Sequence, residues 1–129
     1  MASLLDDFAR AFNQREVGDM ARLLAHDATA RVLGAPFPTE EGSDVIRVTS
    51  FPHLLEADPP LTASRARIES GDCVLLRTDE GRGPIDSVLL FGLADFRIQH
   101  IDYVVAPHDP EQLRQIGRSC GLPTLADEA

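Results

Sequence analysis

The chain contains no lysine and no tryptophan, a single tyrosine and two cysteines, and aromatic residues make up 5% of its 129 positions. Each scarcity excludes something. Without lysine, every basic side chain is an arginine, and the formal net charge is −9. Nonspecific binding to nucleic acid or to anionic lipid needs a positive potential, so neither partner is expected. With so few rings, a stacking platform for single-stranded nucleic acid is also unexpected. Cys73 and Cys120 stand far apart, without CxxC or metal-ligand spacing, and read as reduced thiols of a cytoplasmic protein. The four histidines show no HxH or HxxxH spacing, so no metal site is expected. No phosphate-cradling glycine loop or nucleophile elbow occurs, and no cofactor is implied. No apolar run approaches the roughly 20 residues of a membrane span. The N-terminus lacks a basic region followed by a long apolar run, so no signal peptide is expected.

What is present is enough hydrophobic residue, 43%, for one folded domain over residues 1–129. Ser3 to Asn13 has Leu5, Phe8, Ala9 and Phe12 at helical spacing, with Ser3 and Asp6 placed as a capping box. Asp19 opens a second helix with Met20, Leu23 and Leu24 on its apolar side, and His26-Asp27 ends it. Ala28 to Leu33 reads as a strand. Gly34 to Gly42, with Pro36 and Pro38, reads as a loop. Ser43 opens a third helix to about Ser50, and Pro52 stops it. Strands follow over Leu61 to Glu69 and Cys73 to Arg77. Asp79 to Pro84 is a hairpin connection.

Ile85 to Val105 is the strongest β signal. Its β-branched and aromatic residues predict two long strands meeting near Leu93 to Asp95, where Gly92 and Asp95 suit a turn. Strict alternation puts Phe96, Ile98, His100, Asp102 and Val104 on one face, and Arg97, Gln99, Ile101, Tyr103 and Val105 on the other. Both faces are mixed. Helices on one and a second copy of the chain on the other would explain that, so a homodimer is expected. Glu111 to Ser119 predicts a last helix, and Ala126 to Ala129 should fray. Helices followed by antiparallel strands define an α+β domain, in which a sheet wrapped around three N-terminal helices leaves a conical cavity.

Three stretches carry a family resemblance. They are the helix pair from Phe8 to Ala28, the run Glu41-Gly42-Ser43-Asp44-Val45-Ile46, and Asp95-Phe96-Arg97-Ile98 followed by Ile101-Asp102-Tyr103. Together they resemble the nuclear transport factor 2-like superfamily, also called SnoaL-like or ketosteroid-isomerase-like, with its cone of helices on a curved antiparallel sheet. Gly71 to Arg77 and the run from the last strand into Pro107 to Leu113 resemble the SnoaL-like domains attached to some extracytoplasmic-function sigma factors. The asparagine and lysine of their signature are absent from Ala106-Pro107-His108-Asp109-Pro110-Glu111-Gln112-Leu113. Asp102-Tyr103 resembles the aspartate-tyrosine pair on the last strand of limonene-epoxide-hydrolase-like members, and Arg77-Thr78-Asp79 has the form of their arginine-x-aspartate.

Two functions follow as expectations. One is binding of a small uncharged or weakly polar organic ligand in an internal apolar pocket, without turnover. The other is a cofactor-free isomerase, dehydratase, cyclase or epoxide hydrolase. Its catalytic pair would be Asp102 and His100, two residues apart on one face of a strand. In a closed apolar cavity Asp102 would be desolvated into a better base, and His100 would relay the proton. A structural or dimer-facing role competes with catalysis for both. Asp86, Tyr103, His53, Phe12 and Phe91 are the candidate ligand-facing residues. Solvent exposure is the simpler reading of Asp86 and His53, and an amphipathic interface that of Tyr103.

Overall fold

The computed structural model describes residues 3–128. A six-stranded curved sheet runs in the order β2-β1-β6-β5-β4-β3. Its strands are β1 (Leu24–Val32), β2 (Glu40–Glu41), β3 (Thr62–Ile68), β4 (Gly71–Arg77), β5 (Ile85–Ala94) and β6 (Arg97–Val105). The α+β cone is as expected, with a mixed sheet, since β1 runs parallel to β6 and the remaining pairs are antiparallel.

Helices α1 (Leu4–Asn13), α2 (Val17–Arg22), α3 (Ser43–Val48) and α4 (Ser50–Leu55) pack into the concave face. The Ser3 hydroxyl accepts the Asp6 N–H while the Asp6 carboxylate accepts the Ser3 N–H, the capping box that the sequence suggested. Phe8 is the hub of the inner core. It meets Phe51 and Phe91 edge-on, at centroid distances of 5.7 and 5.2 Å, with Phe12 at 6.5 Å. Pro52 does not end the helical run. It sits in the first turn of α4, where a missing N–H costs nothing, and the break falls at Thr49 instead. Nor do His26 and Asp27 end a helix, for both lie inside β1.

The outer face is covered in part by the chain's own α5 (Pro110–Cys120). Leu113 and Ile116 pack there with Cys73, Leu75, Val88 and Val104. That helix accounts for some of the apolar residues on both faces of β4 to β6. The tail does not fray before Glu128. Ala126 is buried, its carbonyl accepts from Arg114, and Thr124 bridges to Ile85. Ala129 lies outside the described residues. The β5–β6 turn is Asp95-Phe96, both with positive φ, and Gly92 lies within β5.

Two bulges decide which side chains face inward. Between β4 and β5, Leu76 pairs with Ser87 but Arg77 pairs with Ile85, so Asp86 is an extra residue. Between β5 and β6, Gly92 pairs with His100 but Leu93 pairs with Ile98, so Gln99 is extra. Ile98 thereby joins Ile101 and Tyr103 in the inner core, while His100 stays outside. An inserted residue breaks the period of two and re-aims its neighbours.

Candidate functional site

A cavity of about 570 Å³ opens where β1 and β6 finish and β5 begins. Its walls come from separate parts of the chain. The sheet supplies Val32, Asp86, Tyr103 and Val105, α4 supplies Ser50, His53 and Leu54, and the segment after β6 supplies Ala106, Pro107 and His108. Phe37, from the loop between β1 and β2, stands at the mouth. It is 58% exposed, and its ring meets the His108 ring edge-on at 5.3 Å. The Gly34 α-carbon lies so close to the His108 carbonyl that a β-carbon there would sit 2.3 Å from it. That contact docks the Phe37 loop on the segment carrying His108.

Asp86 is the one acid on the cavity wall, and the bulge puts it there. Without the extra residue, alternation would carry it outward with Val88 and Leu90. Burial raises its carboxyl pKa, because a desolvated carboxylate is disfavoured. The Ser87 hydroxyl offsets part of that rise without forming a hydrogen bond of normal geometry.

Tyr103 forms a wall with its ring. Its hydroxyl is closed off from water and has no hydrogen-bond partner of normal geometry among the described residues. Burial pushes the phenol pKa up strongly; the adjacent Ser50 opposes that, and the Glu40 carboxylate adds to it. Ser50 itself donates a short hydrogen bond to Glu40. The cluster therefore places a second carboxylate, Glu40, behind the lining residues Ser50 and Tyr103.

The structure does not bring His100 and Asp102 to this cavity. Both sit on the outer face of β6, across the sheet from Tyr103. The Thr29 hydroxyl lies 2.6 Å from His100 Nδ1, His100 Nε2 lies 2.5 Å from Asp102 Oδ1, and Arg31 Nε donates to the same oxygen at 2.7 Å. Burial alone would raise the Asp102 pKa. The hydrogen bonds and charges of Arg31 and His100 outweigh it and hold the carboxyl below its usual range. A lowered pKa makes a weaker base, the reverse of what an aspartate in an apolar cavity would show. Phe12 and Phe91 are placed in and against the inner core, away from the cavity lining.

Of the residues singled out in the sequence, Asp86, Tyr103 and His53 are thus brought together. His108, Phe37 and Ser50 were missed. Phe37 carried a usable signal, an aromatic between two prolines in a polar loop, where binding residues concentrate. His108 carried none, since only the return of the chain after β6 brings it to Phe37. Among the described residues no group of three or more histidine, cysteine or acidic side chains is arranged to hold a metal, and no helix is long and apolar enough to cross a membrane.

No family model and no curated protein matches the chain. Solved structures do. The chain is similar to an NTF2-like protein of unknown function from Cytophaga hutchinsonii, with 14% identity, a TM-score of 0.56, and 88% of this chain and 96% of that one covered. It is similar to a provisionally designated ketosteroid isomerase from Kribbella flavida, with 16% identity, a TM-score of 0.56, and 79% and 74% covered. It is also similar to a provisionally designated polyketide cyclase from Xanthomonas campestris, with 18% identity, a TM-score of 0.53, and 88% and 93% covered. At these identities the likeness speaks to backbone and not to chemistry: the chain has the nuclear transport factor 2-like fold.

Proposed function

We propose that the protein binds a small organic molecule, apolar over most of its surface, in the cavity between α4 and the ends of β1 and β6. The observation that carries this reading is the bulge at Asp86, which turns one polar group into an otherwise mainly apolar cavity of about 570 Å³. That size and that lining, with few polar groups to fix orientation, suit a small ligand. The similar structures from Kribbella flavida and Xanthomonas campestris, designated for steroid and polyketide chemistry, support a ligand of this general kind. The test is a fragment titration followed by amide NMR. Shifts should concentrate at His53, Leu54, Val105 and His108. They should vanish in Ala106→Trp, which fills the cavity while the fold, followed by circular dichroism, persists. Fragments that bind Ala106→Trp as well as wild type would place binding elsewhere.

A second reading is proton transfer without a cofactor, with Asp86 in the role that the sequence suggested for Asp102. The upward shift of the Asp86 carboxyl favours it, since a base of raised pKa is stronger near neutral pH. His53 and His108 are the cavity groups that could return the proton. Turnover of a bound ketone or epoxide that disappears in Asp86→Asn, while binding persists, is the expected result. An accessory role beside a sigma factor is supported only by the sequence likeness of Gly71 to Arg77 and of the run from the last strand into Pro107 to Leu113. We further propose a homodimer through the part of the outer face that α5 leaves open. A sedimentation experiment showing only a 14.1 kDa monomer at tens of micromolar, roughly, would refute it.

A further inference from the structure

We propose that the cavity selects a basic ligand, an organic amine whose ammonium group pairs with the Asp86 carboxylate. The inference rests on the binding role proposed above and narrows its ligand from weakly polar to cationic. The first observation is an imbalance of charge. The side chains that stay cationic at neutral pH are all arginines, and none lines the cavity. The titratable groups that do are Asp86, His53, His108 and Tyr103, with Glu40 behind Ser50.

The second observation is that Asp86 has no ion-pair partner among the described residues. The ion pairs among the described residues engage other acids. Arg77, on the paired strand beside the bulge, is committed to the Gly83 carbonyl at 2.8 Å. Burial raises the Asp86 carboxyl pKa, and the Ser87 hydroxyl opposes that. A half-buried carboxylate without a counter-charge is costly, and a cation arriving with the ligand would relieve that cost. An anionic ligand meets repulsion there. A ligand carrying only acceptor atoms meets an acceptor-only group while Asp86 is ionised.

The third observation is the surroundings. The Phe37 ring at the mouth and the Tyr103 ring in the wall present aromatic surface, which attracts cations. The net charge of −9 favours the approach of cations and opposes that of anions.

The pair 2-phenylethylamine and 2-phenylethanol tests this, because the two differ only in ammonium against hydroxyl. Each is titrated into the full chain at pH ~8, where an ordinary imidazole is neutral and an alkylamine is still charged. Amide NMR of the cavity residues reads the binding. The amine should bind at least about tenfold more tightly than the alcohol, the effect of one charge-assisted pair. In Asp86→Asn the two should come within about twofold of each other. Asp86→Ser serves if the amide variant does not fold. An alcohol that binds as tightly as the amine overturns the amine proposal and leaves the binding role standing. A preference for the amine that survives loss of the Asp86 carboxylate also overturns it, since the charge would then lie elsewhere. If neither compound shifts a cavity amide at ~10 mM, weaker than a minimal specific contact would give, both the amine proposal and this cavity's binding role fail together.

Discussion

Removing one oxygen from the core should stabilise this protein. The Tyr103 hydroxyl is buried, closed off from water, and among the described residues without a hydrogen-bond partner of normal geometry, while the residue as a whole is 5% exposed. A buried polar group left unpaired costs about 1–3 kcal/mol relative to one that is satisfied. Tyr103→Phe deletes that cost and keeps the ring that packs with Leu89 and Ile101 in the inner core. It leaves a gap the size of one oxygen, and the lost dispersion contacts offset part of the gain. The Glu40 carboxylate behind Ser50 disfavours an ionised phenol but gives the neutral hydroxyl no bond of its own. The expected balance is about 1 kcal/mol in favour of phenylalanine, roughly a 3 °C rise in Tm for a domain of this size. Thermal and urea unfolding followed by far-UV circular dichroism measures it, since the substitution removes the only tyrosine as an optical probe. A loss of about 1 kcal/mol or more would refute the reasoning. It would mean that the hydroxyl is satisfied in solution, with Ser50 turned from Glu40 to Tyr103. Ser50→Ala then separates the cases: it should leave the Tyr103→Phe gain intact if the phenol has no bond to Ser50, and abolish any Tyr103→Phe loss if it has.

Two carboxylates should move stability with pH in opposite directions. Asp86 has a raised pKa in the fold, so its favourable contribution is complete below the ordinary carboxylate pKa and is lost as pH rises through the folded value; Asp86→Asn should gain stability over wild type across that window and hold the gain above it. Asp102 has a lowered pKa, so its contribution is present above the ordinary value and lost as pH falls through the folded one. Asp102→Asn should therefore cost stability at neutral pH. Because Arg31 is half exposed, solvent screening limits that cost to about 1 kcal/mol, and added salt should shrink it; a neutral or stabilising Asp102→Asn would show that the network with Arg31 and His100 contributes nothing. Cys73 is fully buried and its thiol is pushed up to about 11, by burial first and then by Cys120 and Asp72. A thiol reagent should label Cys120 in the native protein, and Cys73 only after denaturation.

The sequence was legible where one period governs a whole element. Leu5, Phe8, Ala9 and Phe12 marked α1 and its buried face, and the Ser3–Asp6 cap was visible because capping is local chemistry. Ile85 to Val105 showed its two strands for the same reason. Legibility failed where a single inserted residue changed the phase. Counting by twos puts Ile98, His100 and Asp102 on one face, so a pair beside a core isoleucine looks like a pair in a cavity. The bulge at Gln99 turns Ile98 inward and leaves His100 and Asp102 outside with Thr29 and Arg31. Neither Gln99 nor Asp86 is the glycine that announces some bulges, and a bulge at other residue types leaves no local mark.

That failure bears on the chemistry. The resemblance to family members with an aspartate on the last strand favoured Asp102, which here is held by Arg31 and His100. Asp86, on the neighbouring strand, reaches the cavity only because the sheet carries one residue too many at its edge with β4. An irregular strand costs ladder hydrogen bonds, and turning a carboxylate toward apolar walls costs solvation. Neither cost stabilises the ligand-free fold. Structural placements that oppose stability on their own are the ones expected where a protein binds or reacts. Deleting the bulge should discriminate. Removing Asp86 from the chain restores the pairing of β4 with β5 in phase. If Asp86 serves only the sheet, the deletion variant should lose stability and leave any preference between the two compounds unchanged. If it serves the cavity, the variant should fold at least as stably as wild type and lose the preference for 2-phenylethylamine over 2-phenylethanol.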